Sequence, residues 1–310
     1  MTRALVFVHY DRDGRFDDHV IAALLSYRET ASRLVVVSTG AVELPASLQT
    51  VVDTFIPRPN IGYDFCSWRA GIESLTAVGD FDELICVNDS VYGPLFDLKP
   101  VLTDRRLAGS DFWGMCLSQQ GVRRRGRTAC PHVQSWFFAM RKPILQSRAF
   151  ARFWNAVVPL SSKEEIIDRY EIGLSEHFHQ AGFKMSAIYD SRGERSATTS
   201  EVWPHLSGSE PARLWRFLRK ACRRSLKNPA ERFPERIIEK GVPFAKVGLF
   251  RVNHYGLNLR YVLNRISELS DYDTSLITNH LARISRGTKE HDFATARISP
   301  TSETLTGFPR

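Results

Sequence analysis

Long apolar runs are missing from this sequence: in 310 residues none approaches the ~20 positions a membrane-spanning helix needs. The opening MTRALVFVHYD holds an apolar stretch too short for a secretory leader, with Asp11 and Asp13 close behind. Both absences predict a soluble, cytoplasmic protein. Cysteine is scarce as well. The five residues (Cys66, Cys86, Cys116, Cys130, Cys222) are odd in number, scattered and without a CxxC pair. That argues against a disulfide framework and a zinc ribbon, and they read as small apolar fillers in a reducing compartment. Glycine-rich phosphate loops are absent: neither GxGxxG nor GxxxxGK[ST] occurs, which argues against a Rossmann dehydrogenase and a P-loop NTPase. No GxSxG elbow marks an α/β-hydrolase. Repeats are missing too, and 43% hydrophobic with 25% charged residues excludes a disordered, collagenous or coiled-coil chain.

What charge there is sits in two places. The net +8 is exceeded by two stretches: Arg123, Arg124, Arg125 and Arg127 give +4, and residues 213–227 give +7. The rest of the chain is mildly acidic, unlike a protein that coats duplex DNA. The first stretch, within residues 119–127 and with glycines at 121 and 126, reads as a loop, either a solvated tip or a grip for an anion. The second interleaves Leu214, Trp215, Phe217, Leu218, Ala221 and Cys222 with arginine and lysine at helical spacing. It is either a surface helix packed on the domain or one that adsorbs to an anionic membrane face.

Residues 4–8 and 33–38, the run 53–56 and residues 83–87 read as strands, with helices at 16–29 and 65–75 between them. Alternation of this kind predicts an α/β fold, a doubly wound, mainly parallel sheet flanked by helices. Ligands in such sheets bind beyond the carboxyl ends of the strands. Polar motifs follow each strand there: His9-Tyr10-Asp11, Arg58-Pro59-Asn60-Ile61-Gly62-Tyr63-Asp64 and Asn88-Asp89-Ser90. Residues 171–182 are expected to form a helix that starts at Glu171 and stops at Gly182. The boundaries expected are a catalytic domain over 1–200, a basic, mostly helical region over 201–286 and a disordered tail over 287–310.

One chemistry fits these motifs: sugar transfer from a nucleotide-sugar. It needs polar groups for the nucleoside, a partner for the diphosphate and a carboxylate to deprotonate the acceptor hydroxyl. Asn88-Asp89-Ser90 stands where GT-A transferases place a metal-holding Asp-x-Asp, with one carboxylate instead of two. Asp89 can still hold Mg²⁺ or Mn²⁺ with phosphate oxygens and water, although such residues also shape turns. Glu171 lies eleven positions before Gly182, the place of the base in inverting GT-A enzymes. It could also be a simple first-turn acid favoured by the helix dipole. His177 and His179 are two apart and do not share a helix face, so they make a poor metal pair.

Seven motifs in order resemble the rhamnan synthesis protein F family. They are His9-Tyr10-Asp11, Arg58-x-Asn60-x-Gly62-Tyr63-Asp64-Phe65, Asn88-Asp89-Ser90-x-Tyr92-Gly93-Pro94 and Asp111-Phe112-Trp113-Gly114, then His132-x-Gln134-Ser135-Trp136-Phe137, Tyr170-Glu171-x-Gly173-Leu174-Ser175 and Gly241-x-Pro243-Phe244-x-Lys246. The resemblance implies a GT-A-like glycosyltransferase of bacterial cell-surface polysaccharide assembly, often moving rhamnose or another deoxysugar. On this reading His9, Asp11, Arg58, Asn60, Gly62, Tyr63, Asp64, Asn88, Asp89 and Ser90 bind the donor nucleotide, and Asp89 the metal. Glu171 and Asp111 are the candidate catalytic carboxylates. Trp113, His132, Gln134 and Lys246 would face the sugar, the acceptor or the diphosphate. Trp136, Phe137 and Phe138 read as core aromatics.

The expected partners are a nucleotide-sugar donor, a glycan or lipid-linked acceptor and an anionic membrane surface reached through 213–227, placing the enzyme at the inner face of the cytoplasmic membrane. A non-catalytic partner of another assembly enzyme is the alternative. Nucleic acid is not an expected partner, because no RNA-binding motif accompanies the basic stretches.

Overall fold

A computed structural model describes residues 1–119, 123–124, 127–128, 131–193, 197–207, 210–220 and 228–286. The short β-branched runs become strands β1 (Arg3–His9), β2 (Arg33–Ser38), β3 (Thr54–Pro57) and β4 (Glu83–Asn88). There follow β5 (Val91–Tyr92), β6 (Phe112–Ser118), β7 (Arg123–Arg124), β8 (Arg127–Thr128), β9 (His132–Val133), β10 (Phe137–Arg141), β11 (Met185–Asp190) and β12 (Ala245–Lys246). The main sheet has eight strands in the order β11-β6-β10-β4-β1-β2-β3, with β9 paired to β6. β10 and β9 are antiparallel to their neighbours and the other pairs are parallel. The carboxyl ends of β1 to β4, β6 and β11 therefore share one edge with the start of β10.

Alternation along the strands builds two cores. Leu5, Phe7, Leu34, Val36, Ile85 and Val87 pack with Val20, Leu24 and Tyr27 of helix Asp18–Arg28. Their neighbours Ala4, Val6, Val8, Val35, Val37, Leu84 and Cys86 pack on the other face with Phe65, Trp68 and Ile72 of helix Tyr63–Glu73. Each large apolar side chain buried this way stabilises the fold by about 1.5–3 kcal/mol. The expected α/β architecture is what the chain adopts: a mainly parallel sheet flanked by helices, with helices in its C-terminal part.

One helix differs from expectation. Glu171 does not open a helix; it lies inside a run that starts at Lys163, passes through a π segment at Ile167–Ile172 and continues as Gly173–Gln180. Ser162 caps the start by accepting from the Glu165 N–H, and buried Ile166, Tyr170, Leu174 and Phe178 recur every four residues across it. The dipole explanation for Glu171 therefore falls away. Gly182, with φ of +88°, follows its end as expected.

The C-terminal helices gather a third core, in which Phe217, Phe233, Leu249, Val262, Ile266 and Ile277 enclose Tyr92 and Leu95. Ala230, Ile237, Val242 and Phe244 from the same region belong to the first core, against the sheet. β12 pairs with β5, setting Lys246 opposite Val91. The expected tail, 287–310, and residues 221–227 of the basic stretch lie outside the described residues, as do the side chains of Arg123 to Arg127.

Candidate active site

The strand-end motifs converge, because parallel strands put their carboxyl ends on one edge. After β1, the buried His9 ring stacks on Phe16 at 4.1 Å between centroids, with Nδ1 3.0 Å from Ser38 Oγ. Burial lowers its pKa to about 4, against the pull of Asp11 and Asp17, so His9 is neutral. Asp11 follows, and Oδ1 accepts from the N–H groups of Asp13 (2.9 Å) and Arg15 (3.0 Å). Its other oxygen pairs with Arg283, which comes from the far end of the described chain. Burial pulls the Asp11 carboxyl upward, but the Arg15 N–H and the Arg283 guanidinium outweigh it and hold it below the usual range.

At the end of β4, Asn88 donates from Nδ2 to the buried carboxylate of Asp64 at 2.8 Å. Asn88 Oδ1 accepts from the N–H (3.1 Å) and hydroxyl (2.6 Å) of Ser90. These bonds fix the turn that carries the residue between them. Asp89 accepts from the Tyr10 N–H at 2.6 Å, joining the β4 and β1 ends. Burial pushes the Asp89 carboxyl up to about 7; the Tyr10 N–H opposes this and nearby Asp11 adds to it. Of the loop after β3, Asn60 is exposed, Tyr63 half-buried, and Gly62, with φ of +80°, precedes the helix. Arg58 bonds Ser67 Oγ and the Ile61 carbonyl, both at 2.8 Å, and so braces this loop.

The second half of the edge holds Glu171. Its Oε1 lies 3.3 Å from His132 Nε2, and its Oε2 accepts from the Ser135 hydroxyl. Burial disfavours its charge, yet His132, Ser135 and Lys246 outweigh that and bring the carboxyl down to about 2. His132 is fully buried behind it, while the Glu171 side chain keeps 22% of its surface exposed. Lys246 rides over the Trp136 ring at 5.9 Å. Gln134 is buried with both amide ends engaged, accepting from Trp136 Nε1 (3.1 Å) and donating to Asn228 (3.2 Å), so it fixes the loop that carries Ser135.

Two expected site residues are elsewhere. Asp111 precedes β6, which puts it at the opposite edge of the sheet. There its carboxylate accepts from the Lys184 N–H at 3.0 Å and its carbonyl from the Arg141 N–H at 2.8 Å. It cannot act beside Glu171. Trp113 points into the core, fully buried, and donates Nε1 to the buried Glu83 at 2.8 Å. It has no face to offer a sugar. Trp136, Phe137 and Phe138 are buried, as expected.

Other participants carry little local signal. Ser135 lies inside the 132–137 motif without a signal of its own, and Arg283 reaches Asp11 across 272 positions. A Cβ on Gly40 would collide with the Asp11 carbonyl oxygen, so the turn after β2 must be bare for the Asp11 turn to settle. Cavities of about 670 Å³, between Gly93–Asp97 and residues 267–273, and about 550 Å³, near Gly109 and Lys184, include neither Asp89 nor Glu171.

The sequence model of rhamnan synthesis protein F matches residues 34–208, more than half of the chain. The chain belongs to the rhamnan synthesis protein F family. This family member is 26% identical over 228 residues to virulence protein VirA of Vibrio anguillarum, covering 72% of this chain and 70% of that protein. It is 28% identical over 135 residues to uncharacterized protein y4gN of Sinorhizobium fredii, covering 43% of this chain and 34% of that one. Among solved structures, glucosyl-3-phosphoglycerate synthase from Mycobacterium tuberculosis aligns at 14% identity over 71% of this chain and 80% of its own, with a TM-score of 0.38. An active-site mutant of LgtC aligns at 14% identity, 64% and 81% coverage and a TM-score of 0.36. Within this family member, the matched span contains both Asn88-Asp89-Ser90 and Glu171, while Lys246 and Arg283 lie beyond it.

Proposed function

We propose that this protein is an inverting glycosyltransferase that moves a sugar from a nucleotide-sugar to a growing cell-surface polysaccharide or lipid-linked glycan. Rhamnose or another deoxysugar is the favoured donor sugar. The observation that carries the reading is the carboxylate of Glu171, partly open to solvent and held by His132 and Ser135 at the sheet edge where Asn88-Asp89-Ser90 ends β4. The donor nucleotide lies along His9–Asp11 and the loop 58–64. The acceptor oxygen attacks the anomeric carbon, the bond to the diphosphate breaks, and the hydroxyl proton passes to Glu171. Lys246 offsets charge that grows on the leaving diphosphate.

A divalent ion suits the Asp89 position. A carboxylate that burial makes costly to ionise gains from a cation beside it, and Mg²⁺ or Mn²⁺ needs few protein ligands when phosphate oxygens supply the rest. Such an ion would neutralise the diphosphate. Attachment to an anionic membrane face is supported by Trp203, Trp215 and Leu218, exposed at 71%, 61% and 48% beside arginine-rich sequence. No helix of the described chain is long and apolar enough to cross a membrane.

The test is hydrolysis and binding across nucleotide-sugars, including dTDP-rhamnose, GDP-rhamnose, GDP-fucose and UDP-sugars, with and without Mn²⁺ or Mg²⁺. One preferred donor, hydrolysed slowly by the wild type and bound but not hydrolysed by Glu171→Gln, supports the proposal. No donor binding at millimolar concentration overturns it.

A further inference from the structure

A second cluster of donors lies between the start of helix Asp18–Arg28 and the last described helix, Ser275–Arg286. Asp17, His19 and His280 each offer one ligand atom, and these atoms all lie within 4.8 Å of one another. His280 Nε2 is 3.6 Å from Asp17 Oδ2, and the two imidazole rings stand 4.3 Å apart between centroids. Donors around a tetrahedral Zn²⁺ sit about 3.4 Å apart, so small side-chain rotations close this set. His19 supplies an independent sign. It is only 4% exposed, and its buried Nδ1 has no hydrogen-bond partner. Buried polar atoms are almost always satisfied, and an ion is one of the few explanations for an orphan.

We propose that Asp17, His19 and His280 form a binding site for a divalent transition metal of the zinc type. Two imidazoles and one carboxylate favour Zn²⁺ or Co²⁺ over Mg²⁺, which prefers oxygen ligands. The site is built from other side chains than Asp89. Its outer shell is in place: Tyr92 Oη lies 2.8 Å from His280 Nδ1, so a metal on Nε2 leaves Nδ1–H donating to the phenol oxygen and fixes the ring. Arg283 is the competitor. Its Nε and Nη2 donate to the two Asp17 oxygens at 2.8 and 2.5 Å, and the same guanidinium reaches Asp13 at 3.1 Å and Asp11. A metal takes Asp17 and leaves Arg283 on the other two carboxylates. Its structural effect is to clip the last described helix to the turn that carries Asp11.

The experiment is Co²⁺ titration of the chelator-stripped full-length protein, read by visible d–d absorption, with Zn²⁺ competition. One strongly absorbing tetrahedral Co²⁺ per chain is expected, displaced by Zn²⁺ and bound at least 100-fold more weakly by Asp17→Asn and His280→Gln. Tyr92→Phe should weaken it about 10–100-fold. Zinc X-ray absorption of the wild type keeps the test independent of variant folding, and should show nitrogen and oxygen ligands with two imidazoles. No Co²⁺ band, a band unchanged in both variants, or sulfur ligation overturns the proposal.

Discussion

Glu171 and Asp89 are both carboxylates at one sheet edge, and their surroundings push them apart: Glu171 down to about 2, Asp89 up to about 7. Separated values suit the separate roles proposed for them, base and cation ligand. Glu171 is ionised at any working pH, so it gives no acid limb near neutrality. Its replacement by Gln should cost about 10²–10⁴-fold in kcat while the donor Kd stays within a few-fold, measured by turnover and calorimetry. Asp89 is protonated below about 7 and charged above it. If it holds the cation, kcat/KM with limiting Mn²⁺ rises about tenfold per pH unit up to that value and then levels off. Asp89→Asn should flatten this slope at a low, pH-independent rate; a wild-type profile flat from pH 5 to 8 would remove Asp89 from the site. At this scale the sequence was informative where a motif ended a strand. It misled at Asp111 and Trp113, which precede or lie within β6 and so point to the far edge and the core.

At the scale of elements, strands were legible because their apolar residues alternate between two buried faces, and the pattern needs no distant partner to be read. The π segment at Ile167–Ile172 was not legible, since buried residues every four positions describe any helical run. Nor was the pairing of β5 with β12, which joins residues about 154 apart and sets Lys246 beside the β4 motif. That pairing depends on Gly93. Its φ is +131°, and a Cβ there would stand 2.5 Å from the Pro243 carbonyl oxygen and 2.8 Å from Phe244 Cδ1. Backbone strain and overpacking together put the cost of Gly93→Ala at about 2–4 kcal/mol. A Tm lower by roughly 5–10 °C is expected in calorimetry, with weaker donor binding as Lys246 shifts. An unchanged Tm would mean that β5 and β12 part without cost and do not hold the site.

For the whole molecule, the basic stretch read from sequence as either packed or membrane-bound, and helix Pro211–Lys220 divides the two. Phe217 is buried in the third core, whereas Trp215 and Leu218 face outward, with Arg219 over the Trp215 ring at 4.4 Å. Helix Thr199–Leu206 packs beside it, tied by Arg213 donating to the His205 carbonyl at 3.0 Å, and adds exposed Trp203. Sequence period alone cannot choose between these faces, because burial of Phe217 depends on Phe233 and His205, which are distant or turn-separated. Two exposed indoles and a basic helix can insert shallowly while lysine and arginine stay at the anionic headgroups. Burying one large apolar side chain contributes about 1.5–3 kcal/mol, so replacing both Trp203 and Trp215 by Ala should weaken binding to phosphatidylglycerol vesicles at least tenfold. Binding of the wild type should also fall with added salt, as the charge contribution is screened within about 10 Å at 0.1 M. Because both rings are exposed, the double variant should keep its Tm, which separates lost attachment from lost folding. Vesicle cosedimentation that is equal for wild type and double variant would mean that this face does not meet the membrane.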